Sequence, residues 1–306
     1  MKIAYASRRS NLFPYVGDDW NLPGRPVRQE YFRRVREMGF DGIEIANNTV
    51  GGSGASPDAV RTLRSELADN GVPCACVRGG GGLANPQYAQ ANRQRLEDAI
   101  TFASLLGTPL VNTTVGGPTD KDRPGHFVGD PVSQGSSRQA HESDYTVTAH
   151  GFREAGRRAA DLGIQISIEV HQNSIVDNSW SALHLLELID LPNVGVNPDL
   201  GNILWTYEHP EESSEDAIRA LAPRAKYWHC KNLKRVHLPE NRHVIYLRVP
   251  LGEGDIDYRF AISAMAASGY SGYLAIEGTR DGDHLTLDRR SIAYAKEILA
   301  GLDSNR

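Results

Sequence analysis

Apolar positions along the chain follow two alternating patterns. Short runs of strand character, Ile3 to Ala6, Gly42 to Ala46, Pro73 to Val77 and Pro109 to Thr113, are each followed by a helical pattern. After the second run, Ser56-Pro57 supplies a cap and a first-turn proline, Val60, Leu63 and Leu67 recur at helical spacing, and Gly71 ends the helix. Leu96, Ile100 and Ala103 repeat the pattern after the third run, and Phe152, Ala155, Ala159 and Leu162 repeat it before the fifth. The four remaining runs end at Glu169, Asp199, His229 and Glu277, and Ile292, Ala295 and Leu299 mark a last helix. Strict alternation of strand and helix implies a parallel sheet with helical crossovers. Eight such units predict closure into a single (β/α)₈ TIM barrel that takes in residues 1–306.

Two segments break this rhythm. Residues 115–145 are rich in Gly, Pro, Ser, Asp and His with little periodicity, which predicts a long loop or lid after the fourth strand. Residues 233–250 contain Arg235-Val-His-Leu and Val244-Ile-Tyr-Leu-Arg-Val on either side of Pro239-Glu-Asn-Arg-His, the pattern of an inserted β-hairpin after the seventh strand.

The residues that end the last four runs carry the chemistry. Glu169, Asp199 and His229 are 30 positions apart and Glu277 follows after 48. One βα unit takes about thirty residues, and barrel chemistry sits at the carboxyl ends of the strands, so these four side chains converge. Three hard oxygen donors and one imidazole suit one divalent metal, Mn²⁺ first, with Mg²⁺, Co²⁺ or Zn²⁺ as alternatives.

Bulk properties narrow the classes. With 33 basic and 38 acidic residues the formal charge is −5, which offers no basic track to a nucleic acid. Cys74 and Cys76 are too close on one strand to bridge without distortion, and with Cys230 they fit a reducing cytoplasm. The amino terminus enters a strand and then charge, with neither a signal-peptide core nor a membrane-spanning run, so no membrane association is expected.

The four ligand-type residues and their surroundings resemble the xylose isomerase-like barrel superfamily of sugar isomerases, epimerases and dehydratases. The matching segments are Ile-Glu169-Val, Asn-Pro-Asp199-Leu-Gly-Asn, His229-Cys-Lys-Asn and Ala-Ile-Glu277-Gly. Residues 250–257, Pro-Leu-Gly-Glu-Gly-Asp-Ile-Asp, are similar to the family's turn before its seventh helix. The resemblance implies that Glu169, Asp199, His229 and Glu277 hold the metal, and that the two glutamates act as acid and base in epimerase-like members. Asn202 stands where many members carry His, a departure from the simple epimerase pattern, and it is placed among the substrate-binding residues.

A narrower resemblance rests on Glu169-Val-His-Gln-Asn-Ser, Asp177-Asn-Ser-Trp, Asn197-Pro-Asp-Leu-Gly-Asn and Tyr227-Trp-His-Cys-Lys-Asn. These are similar to the large subunits of bacterial C-glycoside deglycosidases. That implies cleavage of the carbon–carbon glycosidic bond of 3-oxo-C-glycosides, with a small second subunit as partner. In a strand His171 shares a face with Glu169, and in this setting it is the general base; the other reading is a histidine that only orients a ligand. A keto-sugar 3-epimerase using Glu169 and Glu277 is the alternative activity.

Lys231 and Arg248 are candidates to hold substrate oxygens, each with a structural ion pair as the competing role. Glu44, Asn112 and Thr113 occupy other strand ends and either shape the pocket or cap helices. Arg78-Gly-Gly-Gly-Gly82 lacks the spacing of a phosphate loop and reads as a tight turn.

Overall fold

In the computed structural model, residues 1–6, 24–50, 55–117, 136–206, 209–279 and 282–304 are described. Eight parallel strands form one sheet: β1 (Lys2–Tyr5), β2 (Gly42–Ala46), β3 (Cys74–Arg78), β4 (Leu110–Thr113), β5 (Gln165–Glu169), β6 (Val194–Asn197), β7 (Trp228–Cys230) and β10 (Tyr273–Ile276). Their order is β6-β5-β4-β3-β2-β1-β10-β7. The ends of this sheet meet through a single parallel bridge, Val196 with Ala225, and through the Lys226 amide, which donates to the Val196 carbonyl at 2.9 Å. This is a nearly closed (β/α)₈ barrel. Helices lie outside it, and several carry the sequence-encoded start signals. In α2 (Pro57–Asp69) the Ser56 hydroxyl accepts from the Ala59 amide at 3.2 Å and proline occupies the first turn.

The strands alternate as a pleated sheet requires. Ile43, Ile45, Ile166, Ile168, Leu274 and Ile276 join the large core between sheet and helices. The intervening residues fill the inside of the barrel. Its lower level is a separate cluster of small or flat side chains that includes Ala4, Cys76, Leu110, Tyr227 and Ala275. Above it the inward positions turn polar, with Glu44, Asn112, Glu169, Asn197 and His229 all buried.

The insertion after β7 is an antiparallel hairpin of β8 (Asn232–Leu238) and β9 (His243–Val249), paired from Asn232–Val249 to Leu238–His243. Asp255 pins its base, accepting from the Arg235 amide and Lys234 Nζ at 2.8 Å each. Of the segment expected as a long loop over 115–145, residues 118–135 lie outside the described residues. Ser137–Gln139 form a 3₁₀ turn and α4 (Glu142–Asp161) begins three residues before the expected end, because Asp144 caps the His141 amide at 2.8 Å. Among the described residues no helix is long and apolar enough to cross a membrane.

Candidate metal centre

Glu169, Asp199, His229 and Glu277 meet at the carboxyl end of the barrel, each with a donor atom within 4.8 Å of the others, and all four are buried. Each arrives by a different local route. Glu169 is the last residue of β5, His229 the middle of β7, and Glu277 the residue after β10, its amide held by the Cys230 carbonyl at 3.1 Å. Asp199 lies two residues beyond β6 rather than at its end. It is the N-cap of the short helix α6 (Leu200–Leu204), and the Asn202 amide donates to its Oδ1 at 3.2 Å.

A ring of amides and cations surrounds these carboxylates. Glu169 accepts from Asn112 Nδ2 on one oxygen and from Asn202 Nδ2 on the other, both at 3.0 Å. Asn202 Nδ2 also lies 3.0 Å from Asp199 Oδ2 and from the Val170 carbonyl. Lys231 Nζ bridges Asp199 Oδ2 at 2.6 Å and Glu277 Oε2 at 2.8 Å. Gly201 makes room for that lysine, since a Cβ there would lie 2.4 Å from Lys231 Cγ. From the hairpin, a guanidinium nitrogen of Arg248 lies 3.8 Å from Glu277 Oε2, and its plane sits 5.0 Å from the Trp205 ring centre.

His171 lies just beyond β5 and is half-buried. Its Nδ1 is 2.7 Å from the Gln172 carbonyl oxygen. A carbonyl only accepts, so this contact places a proton on Nδ1 and, in the neutral ring, leaves Nε2 with a lone pair. A positive charge on His171 would favour the ionised form of Glu169.

Glu44, expected at a strand end, instead sits in the middle of β2, and Asn197 is the residue to which sequence spacing assigned no role. Glu44 is fully buried inside the barrel, accepting from His229 Nε2 at 2.6 Å and from Arg78 at 2.5 Å. Asn197 donates to Asn112 Oδ1 at 3.2 Å and accepts from the His229 amide at 2.7 Å. A glutamate set between Ile43 and Ile45 in a buried parallel strand is the signal that favours the pocket over a helix cap for Glu44, but not its pairing with His229.

The electrostatics fit a cation. Burial raises the Asp199 carboxyl, and Lys231 only partly offsets this. Burial acts the same way on Glu169 and is the largest single influence there, but the charge and hydrogen bond of His229, with a smaller contribution from His171, together outweigh it and hold that carboxyl well below the usual range. For His229 burial works against the proton, yet Glu44 and Glu169 push its pKa well above the ordinary imidazole value. Its buried Nδ1 is 3.3 Å from Glu169 Oε2 and 3.6 Å from Glu277 Oε1 without a hydrogen-bond partner. A nitrogen donor turned into a nest of carboxylates is what a divalent ion requires, so the cluster can bind one.

Over residues 32–301 the sequence matches the family described as the xylose isomerase-like TIM barrel. The chain belongs to that family. It is 22% identical over 286 residues to an inosose dehydratase of Clostridium perfringens, covering 88% of this chain and 89% of the relative. It is 29% identical over 258 residues to a ketose 3-epimerase of Arthrobacter globiformis, covering 80% and 75%. A crystal structure of a xylose isomerase-like TIM barrel protein from Mycobacterium smegmatis in complex with magnesium superposes with a TM-score of 0.77 at 23% identity, covering 98% and 97%. The broad resemblance thus holds, and the dehydratase and epimerase relatives are sugar-modifying enzymes. The two named activities are dehydration and epimerisation, not C-glycoside cleavage.

Proposed function

We propose that this protein is a divalent-metal-dependent lyase that cleaves the carbon–carbon glycosidic bond of 3-oxo-C-glycosides. Glu169, Asp199, His229 and Glu277 would hold the cation, Mn²⁺ in this reading, which when bound supplies Lewis acidity toward a ketone and its neighbouring hydroxyl. His171 Nε2 takes the proton from carbon 2, beside the ketone at carbon 3. The enolate electrons then re-form the carbon 3 carbonyl and make a double bond between carbons 1 and 2. The bond from carbon 1 to the aglycone breaks, and the aglycone carbon takes a proton. Lys231 and Arg248, whose side chains lie beside Glu277, would hold substrate oxygens at the rim of the cluster, and Asn202 would hold Glu169 and Asp199 in position while reaching substrate.

The observation that carries this reading is the state of the competing bases. Glu169 has both oxygens engaged by amides, and Glu277 is clamped by Lys231, whereas His171 has a defined tautomer with its lone pair on Nε2. The relative named a dehydratase adds support, because loss of water beside a ketone and loss of an aglycone share the same proton abstraction.

The second reading is a keto-sugar 3-epimerase in which Glu169 and Glu277 exchange the proton. The ketose 3-epimerase relative favours it. In either case a reducing cytoplasm is the proposed setting, and the lyase reading includes a small second subunit. Incubation of the Mn²⁺-loaded protein with a 3-oxo-C-glucoside in D₂O, with and without a candidate small subunit, separates the two by product mass spectrometry. Free aglycone that is lost in His171→Ala is expected. Deuterium gain at the sugar, or a new sugar isomer with no aglycone released, would transfer the assignment to the epimerase.

A further inference from the structure

We infer that Arg78, Glu44 and His229 form a relay that fixes which ring nitrogen of His229 faces the carboxylate cluster, and so sets the affinity of that cluster for a divalent cation. The inference rests on the metal-centre reading above. It concerns positioning residues, since neither Glu44 nor Arg78 contributes a donor atom to the cluster.

What each group can donate fixes where the protons lie. Arg78 is a donor only, and it takes Glu44 Oε1 at 2.5 Å. An ionised carboxylate is an acceptor only, so at Oε2, 2.6 Å from His229 Nε2, the proton belongs to the ring nitrogen. An imidazole that ligates a cation has given up one ring proton, and with Nε2 held by Glu44 the lone pair is then on Nδ1. That atom is the one set between Glu169 and Glu277. Glu44 is fully buried and its position in β2 is mid-strand, so it cannot swing away to solvent. Carboxylates that orient ligand histidines in this way commonly change metal affinity by about 10–100-fold when removed.

Arg78 makes the relay directional. In Glu44→Gln the amide keeps one acceptor and gains one donor. Arg78 can be met only by the amide oxygen, which turns the NH₂ toward His229 Nε2. That nitrogen must then accept, and the ring proton moves to Nδ1, where it blocks a cation. Replacing Arg78 as well frees the amide to turn its oxygen back to Nε2.

The test is Mn²⁺ binding by titration calorimetry on wild type, Glu44→Gln, Arg78→Met and the double variant, with folding checked by circular dichroism in EDTA. Glu44→Gln is expected to bind about 100-fold more weakly, Arg78→Met within a few-fold of wild type, and the double variant about tenfold more tightly than Glu44→Gln. Glu44→Gln binding like wild type, or a double variant no tighter than Glu44→Gln, overturns the relay. A wild type that takes up no Mn²⁺ overturns the metal-centre reading itself. Should Glu44→Gln not fold, ¹⁵N NMR of the Mg²⁺-loaded wild type decides: a proton on Nε2 of His229 is expected, and a proton on Nδ1 overturns the relay.

Discussion

The inside of the barrel has two levels built on the same strands, and they obey opposite rules. At the lower level Ala4, Cys76, Leu110, Tyr227 and Ala275 pack as an apolar floor. Two residues further along the chain, Ala275 gives way to Glu277, Tyr227 to His229 and Leu110 to Asn112. The floor stabilises the fold by excluding water. The upper level gathers four carboxylates with Lys231, Arg78 and His229, and taking such charges out of water costs more than apolar packing in the same space would. A layer that is expensive to fold and that satisfies its charges pairwise is retained for what it does. Strand alternation therefore separates stability from chemistry by a single pleat.

Substitutions can break this division at either level. The largest effect is expected from Asp199→Ala, which removes a cluster carboxylate together with the cap of α6: the purified protein should lose its divalent metal by elemental analysis and its turnover with it, and stoichiometric metal would refute the assignment. His171→Ala should lower kcat by about 10²–10⁴-fold while metal content stays unchanged, which distinguishes a base from a ligand. Lys231→Met leaves Asp199 and Glu277 buried without their shared cation. In EDTA it should cost about 3–5 kcal/mol in denaturant unfolding, and saturating Mn²⁺ should recover part of that loss; an unchanged midpoint would show the bridge to be dispensable. The smallest effect belongs to the floor. Ala275→Leu should destabilise by about 1–3 kcal/mol through overpacking with Mn²⁺ affinity unaltered, and a loss of affinity would show that the two levels are not independent.

Much of the upper level is legible in the chain because barrel chemistry is periodic. Glu169, Asp199 and His229 recur with the βα unit, and the longer step to Glu277 is accounted for by the alternation of β8 and β9, itself readable as a hairpin. Asp199 shows where the reading stops: a strand end and a helix cap two residues later look alike in sequence, and only the Asn202 amide tells them apart. Glu44 was harder still. It meets His229 across 185 residues, and its partnership depends on the stagger between β2 and β7, which no local pattern encodes. The roles of Lys231 and Arg248 depend in the same way on side-chain reach. Each sits beside Glu277, a proximity that spacing leaves open between substrate contact and ion pair.

The weakest join in the barrel wall lies between β6 and β7, where one backbone bridge and the Asn197 side chain stand in for a strand ladder. Gly195 keeps the join close, since a Cβ there would lie 2.3 Å from the Arg224 carbonyl oxygen. Asp199 follows one lip of this seam and His229 lies on the other. An ion gripped by both would act as a rivet across the gap, slowing amide hydrogen exchange along Trp228 and His229 far more than on the intact ladders of β1 and β10. The same contact that prepares the chemistry would thereby close the cylinder mechanically.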